Sequence, residues 1–201
     1  MPFTNYSDLT TSVSNWLQND ALSALTADFI TLFEAWAARR IQIREEETTT
    51  TLTTVNGSVA VPADYLAWRA LAWVNQPDID LKYRTPSGLT LLYPSAVAGI
   101  PTSFAIRAGN ILIRSVDDTA NAYTFDYFAR NAALSTALNS IYTKHPDAYL
   151  AGTLAEAFAA DRNMESFIFW SQRRDAIFDD IEKLDARTRQ LGGIVVRGPT
   201  P

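Results

Sequence analysis

The chain has no cysteine in 201 residues and a single histidine, His145. Without cysteine it can build no disulfide, thiolate nucleophile, zinc ribbon or iron–sulfur ligation. One histidine removes two- and three-histidine metal sites and leaves a Ser-His-Asp arrangement with one candidate base. Glycine is scarce, at eight residues, and none opens a phosphate-cradling loop. Gly192-Gly193 follows a helical pattern, where a phosphate site needs the start of a helix, and reads as a C-cap. Positive charge is in deficit: 17 basic against 22 acidic residues give a net charge of -5, which argues against a protein that wraps nucleic acid or an anionic membrane. No run approaches the roughly 20 apolar residues of a membrane span, and Met1-Pro2-Phe3-Thr4-Asn5-Tyr6 has neither the basic nor the apolar region of a secretory leader. The expectation is a soluble, unprocessed protein with no membrane contact.

What remains is ordinary globular material, 47% apolar and 19% charged, enough for one domain or two small ones. Asn5 or Ser7 can cap a helix whose Leu9, Val13, Trp16 and Leu17 form one stripe. From Leu22, the spacing Leu22, Leu25, Phe29, Leu32, Phe33, Trp36 predicts a second helix over four turns, closed by Arg39-Arg40. Arg44-Glu45-Glu46-Glu47 then leads into a threonine-rich, β-branched run to Val55, which predicts a strand. Asn56-Gly57 suits a two-residue type I′ turn, so a β-hairpin is expected across it.

Asp64 to Val74 fits strand or helix by period, and its aromatic content favours strand, with a break at Asn75-Gln76-Pro77-Asp78. Thr85-Pro86-Ser87 opens a short helical turn that ends before Pro94. Phe104–Arg107 and Ile111–Arg114 flank Ala108-Gly109-Asn110 as a second hairpin, and Tyr123 to Arg130 alternates as a strand with Tyr123, Phe125 and Tyr127 on one face. Beyond Asn139 the period is helical again. Tyr149, Leu150, Thr153, Leu154, Ala157 and Phe158 form a stripe, Asp161-Arg162-Asn163 turns the chain, and Phe167, Trp170, Ile177, Ile181 and Leu184 repeat on a last helix. The fold class expected is α+β: a helical bundle from residues 1–44 and 139–191, an inserted antiparallel β-rich domain over 45–138, and an extended tail over 192–201.

No catalytic, cofactor or metal site emerges. His145 sits at a helix start with no serine or carboxylate relay nearby and reads as structural. Glu45-Glu46-Glu47 could offer carboxylates to a cation, but consecutive strand residues alternate faces, so a solvated or intersubunit charge cluster is the reading. Asp117-Asp118 lacks the register of a calcium loop and reads as a turn. Trp16, Trp36 and Trp170 lie on apolar stripes and read as core, whereas Trp68 and Trp73 are candidates for an exposed platform. The last helix carries seven acidic and six basic residues between Asp161 and Arg189. Arg173, Arg174, Asp179, Asp180 and Glu182 among them suit either solvent or lateral contacts between identical subunits. The tail segment Ile194, Val195, Val196, Arg197 prefers strand but has no adjacent strand; it is either disordered or adds to the edge of a partner's sheet.

Several segments in order carry a resemblance: Tyr6-Ser7-Asp8-Leu9 with Val13 to Leu17, Asp28-Phe29-Ile30 through Arg40, Arg44-Glu45-Glu46-Glu47-Thr48, Val61-Pro62-Ala63-Asp64-Tyr65, and His145-Pro146-Asp147-Ala148-Tyr149-Leu150. Together they resemble the head–tail adaptor proteins of tailed bacteriophages, in the group related to podoviral tail tubular protein A. The resemblance implies a non-enzymatic virion protein, assembled in the host cytoplasm as a ring of twelve copies between the portal ring and the tail nozzle or tail tube protein. DNA would pass through it without sequence-specific binding, and Ile194 to Arg197 would dock on the portal. The reading from another class is a glycan- or protein-binding β module using Trp68 and Trp73.

Overall fold

The computed structural model describes residues 4–93, 99–114 and 121–191. Half of this is helix and about a quarter strand, an α+β content. The chain divides into one unit from Met1–Glu45 with Asn131–Pro201 and another from Glu46–Arg130.

The first unit is helical: α1 (Tyr6–Leu17), α2 (Asp20–Ser23), α3 (Thr26–Arg40), α5 (Ser140–Lys144), α6 (Pro146–Ala160) and α7 (Met164–Leu191), α4 belonging to the other unit. Asn5, Asn19 and Asn139 cap α1, α2 and α5, each side-chain carbonyl accepting first-turn N–H groups that have no intrahelical partner. The helix expected from Leu22 is broken at Ala24 and Leu25 into α2 and α3. Its buried face is Thr26, Phe29, Ile30, Phe33 and Ala37. At 3.6 residues per turn Leu32 points roughly 115° from the centre of that face, which is why it is 54% exposed and Leu25 46%.

α6 is the centre of this unit. In place of the one stripe expected, Ala148, Tyr149, Ala151, Gly152, Thr153, Leu154, Ala155 and Ala157 are all buried, because α1, α3, α5 and α7 pack around it. A helix apolar all round is a core helix. Gly152 lets α3 approach: a Cβ there would lie 2.0 Å from Phe33 Cδ2. Phe33 in turn meets Tyr149 and Phe178 edge-on at 4.9 and 6.0 Å.

The second unit holds two four-stranded sheets that share one core. Its elements are β1 (Glu47–Thr54), β2 (Ser58–Ala60), β3 (Tyr65–Trp73), β4 (Gln76–Asp80), β5 (Lys82–Tyr83), α4 (Pro86–Leu92), β6 (Ser103–Arg107), β7 (Asn110–Ile113) and β8 (Asn121–Ala129). The sheet orders are β1-β8-β3-β4 and β2-β7-β6-β5. The Asn56-Gly57 turn forms, with φ of 51° and 70°. The expected hairpin shrinks to the single bridge Val55–Ser58, however, because β1 pairs with β8 and β2 with β7: the turn hands the chain from one sheet to the other. The β6–β7 hairpin turns through Ala108 and Gly109, both at positive φ. Of the break expected at Asn75-Gln76-Pro77-Asp78, only Asn75 lies in a turn; Gln76-Pro77-Asp78 belong to a strand. The chain turns at Val74-Asn75, and β4 lies at a sheet edge, where a proline lacking N–H is tolerated.

β3 carries register shifts between Tyr65 and Ala67 and between Trp68 and Ala70. With those bulges Trp68, Leu71 and Trp73 all stand opposite the inward-facing Tyr127, Phe125 and Tyr123. The inward positions 65, 68, 71 and 73 therefore break the strict alternation of a strand, which is why period alone left this segment ambiguous.

Two outcomes follow from this packing. Helix propensity alone would favour Gly152→Ala by about 1 kcal/mol, but the clash with Phe33 outweighs it, and thermal melts should show a net loss of about 1–3 kcal/mol. Pairing it with Phe33→Leu should recover part of that loss. Burial raises the phenols of Tyr123, Tyr127 and Tyr142 above their ordinary 10.0, helped by Asp64 at Tyr127 and Asp8 at Tyr142. Groups that hold their proton more tightly when folded contribute stability that is complete below pH 10 and lost as pH rises through the raised values. The tyrosinate absorbance contributed by these three phenols should therefore appear together with loss of circular dichroism, not ahead of it.

Candidate interaction surfaces

The residues weighed as catalytic do not meet. His145 closes α5, its N–H donating to the Ile141 carbonyl at 2.7 Å, and precedes Pro146 at the start of α6. It lines a cleft of about 270 Å³ with Ile43 and Ile181 as floor and Arg44, Glu45, Lys144 and Asp185 at the rim. The rim charges pair with one another, Arg44 with Asp185 at 3.4 Å and Lys144 with Glu45. The acidic triplet is split by a 3₁₀ turn at Arg44–Glu46: Glu45 faces Lys144, Glu46 is buried, and Glu47 opens β1 and meets Arg69 at 2.8 Å. Among the described residues no three His, Asp or Glu side chains are placed to hold a metal.

The α7 residues expected at subunit contacts sort into two kinds. Arg174 is 8% exposed, its guanidinium 3.9 Å from the Trp36 ring centroid, with Glu156 at 3.5 Å and Asp175 at 3.0 Å. A cation between an aromatic face and two carboxylates is satisfied inside its own chain. Asp179 and Glu182 clasp Arg40 of α3 at 2.8 and 2.5 Å, but all three side chains are more than a third exposed, so solvent leaves these pairs little net effect on stability. Asp180 meets Lys183 on the same helix, and Arg173 reaches over Trp170 at 5.9 Å. Phe178, buried against Phe33 and Trp36, was not singled out by period. The signal for Arg174 was its place four residues after Trp170 and four before Phe178, on the stripe itself.

Exposed aromatics form two sets, one in each unit. Trp16 is 58% exposed, contrary to the core role expected of it, because at the last turn of α1 it lies beside the buried Leu9–Val13–Leu17 line and meets Trp170 edge-on at 5.4 Å. Phe169 flanks the same Trp170. In the β unit Trp68 stacks on Tyr83 at 5.1 Å, both near 40% exposed. Trp73 packs against the core, so the two tryptophans make no joint platform. Ile194, Val195, Val196 and Arg197, with Gly192-Gly193 and Asp117-Asp118, lie outside the described residues.

The sequence profile of the SU10 adaptor protein family matches residues 4–197. The chain belongs to that family, which makes it a phage structural adaptor protein, a virion component of a class that is not an enzyme class. No curated protein matches it. No described helix is long and apolar enough to cross a membrane.

The two neighbouring arginines of α7 should separate cleanly. Arg174→Ala removes a buried cation and should cost about 2–3 kcal/mol in urea denaturation, whereas Arg173→Ala should stay within about 0.5 kcal/mol of the parent.

Proposed function

We propose that this chain is the subunit of an adaptor ring between portal and tail through which the phage DNA passes. The observation that carries the reading is the family match from residue 4 to residue 197, nearly the whole chain. The charge agrees with it: a net charge of -5 lets a polyanion slide rather than stick. The finer picture is that of the podoviral tail tubular protein A group, with twelve copies in the particle, a portal ring on one side and a nozzle or tube protein on the other. Lateral contacts in that picture draw on α7, where Arg173, Asp179, Asp180 and Glu182 present mixed charge at the surface, with Arg174 holding the helix to its own chain. Ile194 to Arg197 dock on the portal as an added strand.

A second reading rests on the exposed Trp68–Tyr83 stack, which suits a flat ligand such as a sugar ring on the β unit. A glycan array separates it: a signal on the parent chain that disappears in Trp68→Ala favours a binding module.

The adaptor reading is tested with N-terminally tagged protein, the tail left free, mixed with purified portal rings. Deleting 192–201 should abolish co-purification with portal while leaving circular dichroism unchanged. Undiminished portal binding by the truncated chain would remove the docking role from the tail.

A further inference from the structure

Each sheet of the β unit has two edges, and three of these four edges are blunted. β2 and β5 are three and two residues long, and β4 carries Pro77 and pairs irregularly with β3. β1 differs. It is eight residues long, its ladder with β8 runs without a shift from Glu47 to Thr54, and it contains no proline, glycine or lysine. Among the described residues β8 is its one ladder partner, and Thr48, Thr49, Thr51 and Thr53 are exposed. A long, regular, β-branched edge is the kind that natural proteins cover or protect.

The same chain carries a segment that fits it. Beyond the end of α7 at Leu191 lie Gly192-Gly193, then Ile194-Val195-Val196-Arg197, then Gly198 and the prolines 199 and 201. We infer that in the free protein the segment Ile194–Arg197 of one copy adds antiparallel to the outer edge of β1 in a second copy. Arg197 placed opposite Glu47 brings opposite charges together on the outer face, and Val195 then lies beside Thr49. In that register Ile194 and Val196 stand beside Thr50 and Thr48 on the inner face, where Leu52 packs into the core. In that register Pro199 falls just past the first residue of β1, where the ladder ends, and Gly192-Gly193 separates the segment from α7. The contact joins two different surfaces, so it links copies head to tail or, exchanged reciprocally, closes a two-fold pair. It rests on the strand-adding reading of the tail given above, and a portal ring competes for the same segment.

The test uses the chain lacking 192–201 and a synthetic peptide of residues 190–201, read by hydrogen exchange. Saturating peptide should slow exchange of edge-facing amides in 47–50 by about tenfold, and the full-length chain should self-associate with concentration while the truncated one does not. A peptide with Val196→Pro should give no protection, and one with Arg197→Glu should bind more weakly. Absence of protection in β1, or protection confined to β4, overturns the proposal. Thr48→Lys with Thr49→Lys in the full chain keeps the tail but charges the docked stretch of the edge; it should lose self-association and still bind portal. Loss of portal binding on tail deletion without peptide protection of β1 would leave the docking role standing and this inference refuted, and the converse result would do the opposite.

Discussion

Phe33 lies against the bare backbone of α6 at Gly152, where even a methyl group would meet the ring at 2.0 Å. The rest of the helical unit is arranged around that approach. Tyr149 and Phe178 close on the ring from α6 and α7, Trp36 follows Phe33 one turn later, and Arg174 lays its guanidinium across Trp36. Small residues on α6, four of them alanines buried completely, let four neighbouring helices crowd it. Close packing of this kind tolerates little change in volume, so position 152 constrains α3, α6 and α7 together.

Much of this was legible in the sequence because the local chemistry and the tertiary structure agree. The cap at Asn5, the Asn-Gly turn, the Thr85-Pro86 helix start and the alternation of β8 read directly into the elements observed. The misreadings share a cause, namely that an apolar residue was assigned to the core by spacing when a neighbour decided otherwise. Leu25 and Leu32 lie on the flank of the α3 stripe, Trp16 rests on an aromatic partner at the surface, and the strands either side of Asn56-Gly57 found better partners in β8 and β7. The bulges of β3 could not be seen, because a bulge shifts the inward phase with no residue type that marks it. Arg174 stands on the apolar stripe by spacing, but its charge pointed to the surface, and only the face of Trp36 accounts for its burial.

The functional reading has the same structure. Composition excludes most chemistry before any fold is considered, since one histidine and no cysteine leave little to assemble a reactive centre from. What distinguishes the molecule is surface: aromatic residues at Trp16 and Phe169, mixed charge along α7, and a sheet edge without the usual protection. Such surfaces suit a protein whose work is to be held between others, and membership of the SU10 adaptor protein family agrees with that.

The β unit is reached and left through neighbouring strands, for Glu47 at the start of β1 stands opposite Phe128 near the end of β8. Antiparallel neighbours lie about 5 Å apart, so once that ladder has formed the two chain ends emerge side by side. Loop-closure entropy rises with the length of flexible chain between two contacting segments. A folded insertion replaces its whole length by the width of one strand pair, so the meeting of α3 with α6 carries the entropic cost of a short connection. The topology thus nests a contiguous β unit within a divided helical one, and the β1–β8 ladder shortens the effective connection between the two helical halves.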